Sequence, residues 1–219
     1  MVMAANDLFV VFVFPTKRVL RLISHELVLN FFSFPMVVPL QPNLENLTAV
    51  YLPALQAILD SPLNASGMVQ AVYINFGRLG INEIRPQADF IKDSTPTAFE
   101  NVLGGLFQTG RILRTDIAEE LMLWIPDVPT VIARIQEDYM KIGYVGCLSG
   151  AGALDGTNLQ EYLTASSNDQ SYFFVVGNFA DKEIDHHIEN YVKVSQLDLN
   201  ANAELRVVVN ALHAKWGVL

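Results

Sequence analysis

The sequence predicts an α/β fold: a mainly parallel sheet with helices on both faces. Three observations carry this. Runs rich in β-branched and aromatic residues, such as Leu8–Phe14 and Ser171–Gly177, read as strands buried on both sides. Between such runs lie segments with apolar residues at helical spacing, such as Val19, Leu20, Ile23, Leu27 and Phe31. The two kinds of segment alternate through most of the length, the pattern of strands joined by helical crossovers. With 51% apolar and 17% charged residues among 219, the chain can bury a sizeable core, and a disordered chain is excluded. The loops near 39–46 and 85–96 are not linker-like, and there is no internal repeat, so residues 1–219 are expected to form one domain.

In chain order, Leu8–Phe14, stopped by Pro15, is predicted as a buried parallel strand. Thr16–Phe32 is a helix, and Phe34–Val38, marked by Pro35 and Pro39, a second strand. Leu44–Leu59 is helical, with Pro53 implying a kink or a late start. Asp60–Asn64 is a turn. Val69–Asn75 and Gly80–Ile84 are strands joined through Phe76–Leu79, and Arg85–Pro96 is an irregular loop. Helices are predicted over Thr97–Arg114, Ile117–Trp124 and Val128–Lys141. A strand at Gly143–Leu148 leads through a Gly/Ser/Ala loop to Gly156 and a short helix at Leu159–Ala165. Ser171–Gly177 is the clearest central strand, Tyr191–Ser195 another, and Asn200–Trp216 the final helix.

Charge narrows the function. Fourteen Lys+Arg against 23 Asp+Glu give −9, which argues against a broad, non-specific grip on nucleic acid but leaves room for a local basic patch. The single Cys147 allows no intramolecular disulfide and suits an intracellular, soluble protein. No targeting segment is expected: Leu8–Phe14 is too short to span a membrane, and the first sixteen residues hold no Lys or Arg. Cys147 reads as a core thiol, and the adjacent His186 and His187 as a solvated loop, since sequence neighbours do not face one site.

In open α/β sheets, ligands bind at the carboxyl ends of strands. Three such ends are Cys147-Leu148-Ser149-Gly150, then Val175-Val176-Gly177-Asn178-Phe179-Ala180, then Val194–Ala201. A strand and a glycine, a second strand with Val-Gly, and a Ser-x-x-x-Leu-x-Ala turn into a last helix resemble the SPOUT-class RNA methyltransferases. The closer likeness is to the Nep/Emg family, ribosome biogenesis factors that methylate pseudouridine in small-subunit rRNA. Leu59–Asn64 resembles the family's Leu-Asp-Ser-Pro-Leu-Asn, and Val72–Asn75 its tyrosine-bearing strand. Glu83–Gln87 resembles its Glu-Val-Asn-Pro-Gln. Val175–Ala180 resembles its Val-Val-Gly-x-Phe-Ala, Ser195–Ala201 its Ser-x-Tyr-x-Leu-Ser-Ala, and Lys215–Val218 its C-terminal run. The matches lie in order over roughly residues 50–219.

The resemblance implies a trefoil knot in the part spanning roughly 143–219, with knot loops that hold S-adenosylmethionine. Leu148, Ser149, Gly150, Val176, Gly177, Asn178, Phe179, Ser195, Leu197, Leu199, Asn200 and Ala201 are the implied donor-site residues. Gly152 is a further backbone-approach position. Asp60, Asn64, Arg78, Arg85 and Lys92 are the candidate RNA-facing residues. Asp60 reads first as a helix stop or strand-entry cap, with a substrate-side role as the alternative. The resemblance also implies a homodimer or heterodimer through the knotted region, rRNA or a ribonucleoprotein as partner, and a nucleolar or nuclear place in a eukaryote, otherwise a cytoplasmic one. The final helix, with Leu205, Val208, Val209 and Leu212, is a candidate dimer face, packing on its own sheet being the alternative.

Departures from the family are equally specific. Leu47-Thr48-Ala49-Val50 stands where the family has Arg-Pro-Asp-Ile, so the acidic group expected on the substrate side is missing. Ser94, Thr97 and Asn101 replace family arginines, leaving Lys92 as the nearby cation, and Lys182 replaces a glycine. Two functions stay open: a divergent S-adenosylmethionine-dependent rRNA methyltransferase, and a non-catalytic structural or assembly subunit of a ribonucleoprotein particle, paired with itself or with an active paralogue.

Overall fold

The computed structural model describes residues 8–13, 43–76, 79–114, 119–138, 142–150, 156–168, 170–177 and 186–218. The expected helix at Thr16–Phe32 and strand at Phe34–Val38 lie outside them.

Nine strands form one sheet. They are β1 (Leu8–Val13), β2 (Val69–Asn75), β3 (Ile81–Ile84), β4 (Arg111–Leu113), β5 (Glu120–Ile125), β6 (Ile142–Leu148), β7 (Thr157–Asn158), β8 (Ser171–Gly177) and β9 (Asn190–Lys193). Their order across the sheet is β4-β5-β3-β2-β1-β8-β6-β9-β7. The helices are α1 (Leu44–Leu59), α2 (Pro62–Ala65), α3 (Pro96–Thr109), α4 (Val128–Asp138), α5 (Leu159–Ala165) and α6 (Ala201–Trp216).

The sheet is mixed. The pairings β8–β6, β6–β9 and β9–β7 are parallel, as the α/β pattern predicts. The other five, from β4 to β8 through β1, are antiparallel, so the expectation of a mainly parallel sheet holds only for one half. β1 is a correction in particular: it pairs antiparallel with both β2 and β8. Of these pairs, β2–β3 and β4–β5 are joined by short reversals, and neighbouring strands so joined must run opposite ways.

Two further elements differ from expectation. The predicted helix Thr97–Arg114 begins at Pro96, with Thr95 as its cap, and stops at Thr109, where Gly110 takes a left-handed conformation (φ 73°) and the chain turns into β4. The predicted helix over Ile117–Trp124 is instead β5 over Glu120–Ile125, the strand that joins β4 to β3. Its Leu, Met and Glu favour helix locally, but pairing on both sides outweighs that preference. Pro53 does not delay α1, which starts at Leu44; it sits at an exposed position within the continuous helix.

Side chains alternate across the sheet, and helices cover both faces as predicted. On one face α1, α3, α5 and α6 pack over Val72, Ile74, Ile84, Val145, Phe174 and Val176. On the other, Val128, Val131, Ile132 and Ile135 of α4 pack with Ala71, Tyr73, Ile81, Tyr144, Phe173 and Val175. β8 contributes to both faces, with Tyr172 to Val176 all fully buried, as a central strand must. Leu205, Val208, Val209 and Leu212 of α6 belong to the first core, so this face of the final helix packs on its own sheet and is not an open dimer face.

Two ion-paired or hydrogen-bonded anchors fix helices to this frame. Glu83, 2% exposed on β3, lies between Arg85 (3.0 Å) and Arg134 of α4 (3.1 Å). Lys215 near the end of α6 donates to the carbonyls of Leu163 and Ser166, closing the C-terminus of α5. The two tryptophans are tied at separate places: Trp124 Nε1 donates to Leu79 O at 2.7 Å, and the Trp216 ring lies 6.1 Å from Tyr172.

Candidate functional site

Strand register sorts the candidate residues into two groups at opposite ends of the sheet. Gly177 pairs with Leu8, and Leu8 with Asn75; Tyr172 pairs with Val13, and Val13 with Val69. Leu148 follows β6, which runs parallel to β8, and so lies at the Gly177 end. Arg85 and Glu120 lie past Ile84 and Met122, toward the Val69 end. A seven-residue strand separates the two ends by about 20 Å.

At the Gly177 end, three loops converge on one carboxyl. Glu204, in the first turn of α6, is 5% exposed. Ser149, just past β6, donates from Oγ to Glu204 Oε1 at 2.5 Å. The Leu199 N–H, in the loop after β9, donates to the same Ser149 Oγ at 3.2 Å. The Gly177 amide at the end of β8 also acts on the carboxyl, although no hydrogen bond of good geometry reaches the buried Oε2. Burial pushes the Glu204 carboxyl above the ordinary carboxylate range; the Ser149 and Gly177 hydrogen bonds act against that shift. Burial, and then the charge of Glu204, push the nearby Cys147 thiol well up, which keeps it an inert core group.

The other expected donor-site residues surround this centre. Gly150 has φ 59°, and a Cβ placed on it would fall 1.4 Å from Asp198 Oδ1, so the Asp198 carboxylate lies directly over the Gly150 backbone. Gly177 also has positive φ (116°). Ser195 Oγ accepts from the Leu197 N–H at 3.0 Å, shaping the turn, and Leu197 projects with 74% of its surface exposed. Asn200 uses its side chain to cap α6, accepting from the Ala203 N–H at 2.9 Å, and Ala201 is the first helical residue. The Val176 side chain is core, leaving only its backbone for the site. Asn178, Phe179 and Gly152 lie outside the described residues.

At the opposite end, Asn64, Arg85 and Lys92 line one cavity of about 540 Å³, together with Gln70, Gln87, Asp89, Glu119 and Glu120. Sequence reasoning grouped these three residues, and the fold brings them together. Their side chains are already engaged. Arg85 pairs with Glu83, and Lys92 with Asp89 at 2.7 Å. Asn64 Nδ2 donates to Leu59 O (2.8 Å) and Pro86 O (3.3 Å), tying the end of α1 to the loop after β3. Asp60 is the C-cap residue of α1, and Ser61, whose Oγ accepts from Asn64 N, caps α2 with Pro62 at its first position. Arg78 lies outside the described residues.

Glu204 is the residue that sequence reasoning missed. An acidic side chain in the first turn of a helix reads as a partner of the helix dipole. Only the fold reveals that it reaches back to Ser149, fifty-five positions earlier.

No family model matches the chain, and no curated protein matches it in sequence. Among solved structures, the crystal structure of Archaeoglobus fulgidus Nep1 bound to S-adenosylhomocysteine is similar, with a TM-score of 0.50 over 77% of this chain and 68% of that one. The fold is similar to that of Nep1. Sequence identity across the match is 14%, so the likeness extends to the fold alone. Among the described residues, no helix is long and apolar enough to cross a membrane.

Proposed function

We propose that this chain is a divergent relative of the Nep/Emg methyltransferases that takes S-adenosylmethionine at the three converging loops and serves in small-subunit ribosome biogenesis. In this reading the part spanning 143–219 carries the trefoil knot, the protein works as a dimer through that part, and in a eukaryote it acts in the nucleus or nucleolus. The observation that carries the reading is the convergence of Ser149 and Gly177 on Glu204, with the Leu199 N–H bonded to Ser149, in a fold similar to that of a protein crystallised with S-adenosylhomocysteine.

The residues present suit such a donor. Gly177, at positive φ, leaves backbone that a ligand can approach closely, whereas at Gly150 the exposed Asp198 carboxylate covers the backbone and has to swing aside for a ligand to reach it. Leu148, Leu197 and Leu199 offer apolar walls, and the orphaned Oε2 of Glu204 supplies an acceptor. When bound, the donor contributes an electrophilic methyl group; the protein's part is to hold it in line with a nucleophile. The chain's own polar groups at Asn64, Arg85 and Lys92 stand at the far end of the strands, so they cannot serve this site within one protomer.

A second reading, a non-catalytic assembly subunit, is favoured by that separation and by the prior engagement of Arg85 and Lys92 with Glu83 and Asp89. Titration calorimetry with S-adenosylmethionine, followed by transfer of labelled methyl to a pseudouridine-containing hairpin, separates the two. Heat of binding with transfer establishes the enzyme. Binding without transfer establishes the assembly protein with a retained site. No heat at millimolar ligand rejects the donor site.

A further inference from the structure

Two carboxylates meet the Ser149–Gly150 turn. Glu204, 5% exposed, is held at Oε1 by Ser149, with the Gly177 amide nearby and Oε2 lacking a hydrogen bond of good geometry. Asp198 is exposed, with its carboxylate over the Gly150 backbone. Neither carboxylate has an ion-pair partner among the described residues; the ion pairs there involve Glu83, Asp89 and Glu120. Lys193, which follows Val192 in β9 and pairs in register with Leu148, forms no ion pair with either. A buried acid without a matching cation is costly to hold charged, and its oxygen without a hydrogen bond makes it an acceptor in search of a donor or a positive charge. These acids therefore do more than cover a glycine: they set the sign of the potential in the site.

We infer that the three-loop site selects its ligand by charge, holding a cationic sulfonium nucleoside more tightly than the neutral thioether that remains after methyl loss. This rests on the donor reading above and deepens it. Backbone contacts to adenine and ribose are the same for both ligands, so only the sulfonium charge distinguishes them. Asp198 and Glu204 are the groups that read that charge. The arrangement would favour release of the spent donor over the fresh one.

The test is the ratio of affinities for S-adenosylmethionine and S-adenosylhomocysteine, measured by calorimetry on the full chain and on Asp198→Asn, Asp198→Ala and Glu204→Gln. The expected result is a preference of about fivefold or more for the sulfonium form, shrinking as salt is raised. Asp198→Asn, which keeps side-chain volume at an exposed position, should cut the ratio at least twofold, and Glu204→Gln should cut it further. Equal affinity for the two ligands in the unaltered chain overturns the inference while leaving the donor reading in place. So does a gain for both ligands in Asp198→Ala with the ratio unchanged, which would make Asp198 a mere cover. Binding of neither ligand to any of the four proteins overturns the donor reading and the inference with it.

Discussion

The two ends of the sheet solve the same problem, how to place charge beside a loop cluster, in opposite ways. At the Arg85 end, charges cancel: Glu83 sits between two guanidiniums, and Asp89 holds Lys92. At the Gly177 end, charge is left over: Glu204 is buried with hydroxyl and amide partners, and among the described residues Asp198 forms no ion pair. Cancelled charge is what a scaffold needs, since it fixes geometry without drawing in a ligand. Uncancelled charge costs folding energy and is kept where something else is to be bound.

That contrast can be broken first at its scaffold end. Glu83→Gln removes the anion between Arg85 and Arg134. Both guanidiniums are more than a third exposed and can turn to water, so the loss is expected at about 1–3 kcal/mol, below the cost of stranding a fully buried charge. Denaturant midpoints at constant m-value measure it. At the other end, Glu204→Gln should change the pH dependence of stability. The folded-state carboxyl titrates above its ordinary 4.5, so the native state binds more protons than the unfolded chain between that value and the raised one. Stability is therefore fully present below the ordinary carboxylate range and falls as pH rises through the raised value. Glu204→Gln should flatten that fall, read from melting curves between pH 4 and pH 8.

Smaller effects sharpen the comparison. Asn200→Ala removes the cap of α6 and should cost about 1 kcal/mol by denaturant titration, while loosening the loop that carries Leu197 and Leu199. The smallest expected effect is at the cavity. If Arg85 and Lys92 were free to neutralise phosphates, removing both would reduce the salt slope of binding to a single-stranded hairpin loop by about 1.4. Because both are engaged in ion pairs, the double variant Arg85→Ala/Lys92→Ala should change the slope by less than about half that.

Much of the frame was legible in the sequence. α1, β2, α5 and β8 match their expected bounds because dense β-branched runs or helical periodicity, bounded by turn residues, leave little choice. β4 and β5 were read as helix because their Leu, Met and Glu are helix formers, and only the partner strand β3 makes them extended. The direction of β1 was equally hidden, since a run buried on both faces looks the same in parallel and antiparallel surroundings. At the site, the short loop signatures around Ser149, Gly177 and Leu199 were found by resemblance, and the fold places them together. Asn64, Arg85 and Lys92 line one cavity, and the sequence carries no sign that they stand a strand length away from those loops. Such a distance is a property of register, and register is written in pairings between segments, not within any one of them.

The strand-end separation also divides the chain's two indole rings. Trp124 is bonded to Leu79 beside Ile125, at the Gly177 end, and Trp216 packs against Tyr172 at the other. They are the only tryptophans in the chain. Each end of the sheet thus carries its own optical reporter: with Trp216→Phe, emission comes from the Gly177 end beside β5, four strands from β8, and with Trp124→Phe, from the opposite end beside β8. Unfolding followed in the two single-tryptophan proteins would show whether the two ends let go together.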